Sequence, residues 1–242
     1  LNKPLFLRID DLDQARERKE YVSFIFEALR FYGIEWQAGP QNIQEQPSYS
    51  QLGRIPLYKE AIEKLKRQAF IFPCKCSRKK IREAGLQSGC ASNCAKDTEG
   101  EKRRGVCWRF KTRDEKVSYT DLNGIIKELS YPKEMREFIV ERKAGLAAYQ
   151  IASLVDDIHF GITHIVRGNG LRPSTWAQWQ LAEALSLSSF HQIQFLHHPL
   201  LMEDQQKLSK SNRSPALKLQ EQERKLLWGE YTEWIKRERL LD

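Results

Sequence analysis

No run in this chain approaches the roughly 20 consecutive apolar residues that a helix needs to cross a bilayer, and its mean hydropathy is −0.61. A membrane partner is therefore not expected, and a soluble protein is. No secretory leader precedes the five cysteines, an odd number with four crowded between Cys74 and Cys94. A secreted disulfide framework does not fit that pattern; a reducing, cytoplasmic setting does. Internal repeats and Gly-rich phosphate loops are also absent. The chain starts at Leu1 and not Met, and runs straight into Pro4-Leu5-Phe6-Leu7-Arg8-Ile9-Asp10, a buried-strand pattern that needs a paired neighbour, so the N-terminus reads as truncated. What remains is ample for a core: 242 residues, 40% hydrophobic and 30% charged, argue against both a disulfide-stapled miniprotein and a disordered chain.

The formal charge of +8 is unevenly spread. Between Lys66 and Arg113 there are fourteen Lys and Arg against four Asp and Glu, so this one segment holds the whole excess. Clustering of this kind suits a polyanionic partner such as nucleic acid, although a solvated charged loop would show the same composition.

Periodicity predicts a mixed architecture. After the first strand, Asp11-Leu12-Asp13-Gln14 reads as a capping box for a helix that carries Tyr21, Phe24, Ile25, Ala28, Leu29 and Tyr32 at helical spacing and closes at Gly33. Residues 34–53 read as a loop, Leu57 to Gln68 as a helix, and Val106 to Phe110 as a strand. Later strands are expected at Glu137 to Val140, Ile162 to Arg167 and Phe195 to Met202. Helices are expected at Ala147 to Val155, Thr175 to Leu185 and Leu217 to Leu241. Strands alternating with helices imply an α/β fold with a doubly wound, Rossmann-like parallel sheet. The expected division is 1–72 and 132–202 as the two parts of that domain, 73–131 as a basic insertion, and 203–242 as a loop and C-terminal helix.

Cys74-Lys75-Cys76 and Cys90-Ala91-Ser92-Asn93-Cys94 form two ligand pairs, and four thiolates suit tetrahedral zinc; buried cysteines without metal are the alternative. Cys107, alternating within a strand, reads as a packed thiol. His197 and His198 are adjacent on a strand and point to opposite faces, so they should not share a metal. Tyr149 and Ser153, four apart on a helix, share one face and can line one pocket, unless the tyrosine is simply core. Lys207-Leu208-Ser209-Lys210-Ser211 follows a strand and an acidic turn, and two lysines three apart can converge on one polyphosphate as pyrophosphate leaves. An ordinary basic surface loop is the plainer reading of those five residues.

Lys207 to Ser211 resembles the Lys-Met-Ser-Lys-Ser signature of class I aminoacyl-tRNA synthetases, with Leu208 in place of Met. Leu7-Arg8-Ile9-Asp10-Asp11-Leu12-Asp13 resembles the Arg-Ile-Glu-Asp-x-Asp run of glutamyl-tRNA synthetases. Gly33 to Trp36, Tyr49 to Gln51, Ala148 to Gln150, Val155 to Asp157 and Thr163 to Gly168 match in order, so the resemblance covers nearly the whole chain. It is nearest to the glutamyl-Q tRNA(Asp) synthetases, a compact glutamyl-tRNA synthetase body without an anticodon-binding domain.

The resemblance implies ATP-dependent activation of L-glutamate and its transfer to queuosine of tRNA(Asp), by a cytoplasmic monomer. Lys207, Ser209 and Lys210 would bind ATP with its Mg2+, the two lysines acting in catalysis. Asp10 would hold the substrate ammonium, one methylene shorter than the family's glutamate, while Asp11 and Asp13 would serve only to cap the helix. Arg167 would fork onto the substrate side-chain carboxylate, with Tyr149 and Ser153 as further substrate contacts. The structural zinc would sit on Cys74, Cys76, Cys90 and Cys94, an all-sulfur set where the family uses tyrosine at the Cys90 position. The His-x-Gly-His turn that receives ATP phosphates in class I enzymes has no counterpart here, so the chain as it stands is expected to be inactive without it. Two other readings stay open: the catalytic body of an ordinary glutamyl-tRNA synthetase, and a noncatalytic tRNA-binding paralogue.

Overall fold

A computed structural model of the chain describes residues 3–14, 18–96, 105–200, 202–203, 206–207 and 221–237. It divides into two compact units, one of Leu1–Ile55 with Ser209–Asp242 and one of Pro56–Leu208. No helix among the described residues is long and apolar enough to cross a membrane.

In the first unit, α1 (Lys19–Phe31) buries Val22 and Phe26 against Trp36, with Leu7, Ile9, Leu29 and Ile43 packed around them. The helix ends as its sequence predicts. Gly33, at φ +67°, donates to the Arg30 carbonyl at 3.0 Å and Ile34 to the Leu29 carbonyl at 2.9 Å, satisfying the last carbonyls through a left-handed residue. The expected first strand is reduced to one parallel bridge, Phe6 with Ala38, flanked by Leu7 N–H to the Ala38 carbonyl at 2.9 Å. That approach is close enough that a Cβ on Gly39 would run into the Leu7 carbonyl oxygen.

The capping reading of Asp11 and Asp13 is corrected. α1 starts at Lys19 behind Arg18 and has no side-chain cap, so residues at 11 and 13 lie too far upstream to reach its first N–H groups. Asp11 is instead 5% exposed and accepts from Gln51 N at 2.8 Å and Gln46 Nε2 at 3.2 Å. It anchors α2 (Gln46–Tyr49) and the 3-10 turn Gln51–Arg54, ordered elements within the expected loop 34–53. α7 (Glu221–Arg237) completes this unit, and Arg224 Nη1 donates to the Phe31 carbonyl at 3.1 Å.

The second unit begins with α3 (Ile55–Arg67), followed by β1 (Ile71–Cys74), α4 (Arg78–Glu83), β2 (Cys107–Phe110), β3 (Val117–Asp121), β4 (Ile126–Leu129) and β5 (Ile139–Glu141). Then come α5 (Tyr149–His159), β6 (His164–Gly168), α6 (Arg172–Ala184), β7 (Gln194–His198), β8 (Met202–Glu203) and β9 (Gln206–Lys207). β1, β2 and β5 form an antiparallel sheet in the order β1-β2-β5. The larger sheet has the order β4-β3-β7-β6; β3 and β6 both lie parallel to β7, and β4 is an antiparallel edge. The fold is thus α/β with a parallel sheet, α6 supplying the crossover that parallel neighbours β6 and β7 require. The hairpin β3–β4 falls within 73–131, the stretch expected as an insertion, and its strand β3 is hydrogen-bonded to β7.

Trp176, Leu181, Ile151, Leu154, Phe190 and Phe195 are fully buried where α5 and α6 pack with the sheet, each removing about 2 kcal/mol worth of apolar surface from water. Tyr58 on α3 donates to Asp156 Oδ1 on α5 at 2.6 Å. Two expected boundaries shift for local reasons. β7 stops at His198 because Pro199 has no N–H for the ladder, so Met202 belongs to a separate strand. β5 begins at Ile139 because Glu137 has φ +42° and cannot be extended.

Candidate functional site

Four cysteine sulfurs, of Cys74, Cys76, Cys90 and Cys94, lie within 4.8 Å of one another, and all four residues are buried. Cys74 ends β1, and Cys94 opens a short 3-10 turn after Asn93, whose φ of +50° reverses the chain. Glu137 Oε2 accepts from Cys90 N at 2.7 Å, and Gly89, at φ +100°, is packed so that a Cβ would come within 3.0 Å of that same oxygen. Cys76 Sγ is 3.7 Å from Cys90 Sγ and 3.9 Å from Cys94 Sγ. Four sulfurs at about 2.3 Å from a tetrahedral zinc would be about 3.8 Å apart, so the donor set fits such an ion in both chemistry and spacing. Burial pushes the Cys90 thiol up and the Cys94 thiol up to about 12, whereas the Cys76 thiol, despite its burial, is lowered to about 7 by hydrogen bonds that begin with Ser92. Cys107 takes no place among the four. It sits opposite Cys74 on the neighbouring strand, its Sγ 3.3 Å from the Cys74 carbonyl oxygen.

The second cluster gathers at the carboxyl end of β6. Arg167 is 7% exposed, and its guanidinium lies 5.2 Å from the Phe195 ring centroid. Its Nη1 donates to Gln178 Oε1 at 2.9 Å and its Nη2 to Thr175 Oγ1 at 2.5 Å. Both partners come from α6, three residues apart on one face and completely buried. Gln178 Nε2 donates to the Gln150 carbonyl at 3.4 Å, which ties Arg167 to the first turn of α5, the turn that begins with Tyr149. Ser153, one turn on, is 2% exposed.

His197 on β7 brings Nε2 to 2.7 Å from Thr175 Oγ1, with Tyr119 edge-on at 5.4 Å. Burial, and after it the charge of Arg167, lowers the His197 pKa to about 3, so the ring is neutral. His198 takes a different partner, its Nδ1 being 2.8 Å from the Pro199 carbonyl oxygen. Thr175, Gln178 and His197 were not singled out for this role by sequence reasoning. The available signal was Thr175-x-x-Gln178, two polar residues on one face of a helix otherwise rich in apolar residues.

Asp10 belongs to the first unit, where its carboxylate pairs with Arg8 Nε at 2.9 Å. Lys207 is in β9, paired in register with Met202. Ser209 and Lys210 lie outside the described residues.

The chain is 35% identical over 214 residues to the glutamyl-Q tRNA(Asp) synthetase of Pseudomonas aeruginosa, a match covering 87% of the chain and 67% of that protein. It is 31% identical over 232 residues to a glutamate–tRNA ligase of Sulfurihydrogenibium sp., covering 90% of the chain and 48% of the ligase. Its fold is similar to that of the glutamate tRNA ligase of Elizabethkingia meningosepticum, with a TM-score of 0.62 at 21% identity over 85% of the chain and 45% of that protein. The chain therefore spans slightly less than half the length of these two ligases. The family described as class I tRNA synthetases (E and Q), catalytic domain, matches residues 2–226, and the chain belongs to that family.

Proposed function

We propose that the protein activates glutamate with ATP and transfers it to tRNA, with queuosine of tRNA(Asp) as the acceptor. The observation that carries this reading is Arg167, a buried guanidinium at the carboxyl end of a parallel strand whose two terminal nitrogens are held by neutral oxygens. An arginine so placed suits a ligand carboxylate, here the side chain of glutamate, because its planar guanidinium presents donors in a fork that matches a carboxylate. Tyr149 and Ser153 contribute further substrate contacts, and Asp10 takes the ammonium.

In the reaction the glutamate α-carboxylate attacks the α-phosphorus of ATP, and pyrophosphate departs. Lys207 and Lys210 meet the charge that builds on the departing phosphates, with Ser209 as a hydroxyl donor beside them. Cys74, Cys76, Cys90 and Cys94 would hold a structural zinc ion, which would brace the segment between β1 and β2 and supply no chemistry to the transfer. Exposed Lys79, Lys80 and Arg82 on α4 bind tRNA phosphates. The protein acts as a cytoplasmic monomer.

A second reading, an ordinary glutamate–tRNA ligase, draws on the 31% identity to one such ligase over 232 residues. The test uses the complete protein with radiolabelled glutamate, ATP and two acceptors. Transfer to a queuosine-bearing anticodon stem-loop of tRNA(Asp) supports the first reading. Transfer only to the 3′-terminal adenosine of tRNA(Glu) favours the second, and no glutamate-dependent pyrophosphate exchange overturns both.

A further inference from the structure

Four thiolates around one divalent zinc leave a net charge of minus two among buried residues, and a buried charge needs a partner. The partner is on β2. Strand alternation puts Cys107 and Arg109 on one face, and the register with β1 sets Arg109 opposite Phe72 and Cys107 opposite Cys74. Phe72, Cys74 and Cys107 pack in one buried cluster with the other three cysteines, and Ile139, opposite Arg109 on β5, packs against it. The Arg109 side chain therefore rises on the face that carries the sulfurs.

Arg109 is 4% exposed, an arginine almost wholly withdrawn from water. Its Nη1 donates to the Glu137 carbonyl at 2.8 Å, and its Nε is buried without a hydrogen-bond partner. Among the described residues no carboxylate forms an ion pair with it. Its charge acts on sulfur instead. Hydrogen bonding with Cys107 and burial push the Cys74 thiol up, and the Arg109 guanidinium is among the groups that oppose them in favour of the thiolate.

The Glu137 contact reaches a second ligand. Glu137 accepts from Arg109 at its carbonyl and from Cys90 N at its Oε2, at 2.7 Å, while its own N–H donates to Thr112 Oγ1 at 3.2 Å. It holds φ +42°, a left-handed conformation that persists at a non-glycine residue only where the surroundings over-determine it. Arg109 is thus placed beside Cys74 by the strands and tied to Cys90 through Glu137.

We propose that Arg109 is a positioning residue of the zinc site: its buried guanidinium offsets part of the charge of the four thiolates and, through Glu137, fixes the loop that carries Cys90. This rests on the zinc reading given under Proposed function. Partners just outside the ligands typically change metal affinity by about 10–100-fold.

The experiment loads the complete protein with zinc or with cobalt(II). It reads metal affinity by competition with a chromogenic chelator, the cobalt–thiolate charge-transfer bands, and stability in urea with the metal removed. Arg109→Gln, which removes the charge, should lower zinc affinity by about tenfold or more. It should also move the cobalt–thiolate bands to lower energy, because a thiolate that loses a neighbouring cation gives up electrons more readily. Arg109→Lys, which keeps the charge without the fork, should hold zinc affinity within about threefold of wild type and return the bands most of the way. A merely structural role would weaken the metal-free protein in both variants alike and leave the bands in place. A zinc-binding wild type whose Arg109→Gln variant shows unshifted bands, with affinity within about twofold or no lower than that of Arg109→Lys, overturns the proposal and leaves the zinc site standing. A wild type that takes up neither zinc nor cobalt overturns both. If Arg109→Gln does not fold, Arg109→Met, uncharged and also unbranched, is read against Arg109→Lys by the same criteria.

Discussion

Gln180 pairs with the backbone of Arg113 as a neighbouring strand would: its Oε1 accepts from Arg113 N at 3.1 Å and its Nε2 donates to the Arg113 carbonyl at 2.8 Å. One side chain, 1% exposed, thereby joins α6 to the link between β2 and β3 and closes a stretch of backbone that no ladder satisfies.

Replacing Gln180 with Leu keeps the volume and removes both bonds, leaving a backbone donor and acceptor unpaired. A loss of about 2–3 kcal/mol is expected in urea denaturation. A loss under about 0.5 kcal/mol would mean that water satisfies Arg113 equally well.

Elemental analysis should find one zinc per chain, and the Cys90→Ser, Cys94→Ser double variant should lose it, with the melting temperature falling by at least roughly 4–8 °C, the equivalent of about 2 kcal/mol. Binding must displace protons from Cys90 and Cys94, whose pKa values burial raises, so zinc affinity should fall as pH falls. Full zinc retention by the double variant, or an affinity indifferent to pH, contradicts the assignment.

His197 carries a separate pH signature. Its folded pKa is lowered from 6.5 to about 3, so between those values the unfolded chain binds a proton that the folded chain refuses. Stability should therefore decline as pH falls through that window, and His197→Gln should make the decline shallower. Identical acid limbs for the two proteins would show that the ring is not held neutral.

In the complete protein, Lys210→Ala should lower pyrophosphate exchange by about two to three orders of magnitude with little change in substrate affinity, the scale for removing one charged group from the transition state. A near-normal rate would return 207–211 to an ordinary surface loop.

Neutralising Lys79, Lys80 and Arg82 together should weaken tRNA binding much more than adenylate formation, and should flatten the salt dependence of binding by about one unit of slope for each phosphate no longer neutralised. An unchanged slope would place the tRNA phosphates elsewhere.

Much here was decided locally and could be read from residues alone. The end of α1 at Gly33, the alternation of strands with helices and the two cysteine pairs depend on backbone torsions, side-chain periods and ligand spacing, all of which act over a few neighbouring positions. Even the opposite partners of His197 and His198 follow from the two-residue period of a strand.

Tertiary structure alone decided the rest, because a polar side chain announces its need for a partner and not the partner's identity. Asp11 has the residue type of a helix cap, yet burial drew it to Gln46 and Gln51, some 35 and 40 positions away. Thr175 and Gln178 look like ordinary polar residues on a helix until β6 brings a guanidinium against them, and the pairing of β3 with β7 joins segments more than 70 residues apart. Such contacts are selected by which groups would otherwise lie buried and unsatisfied, and that is a property of the assembled core.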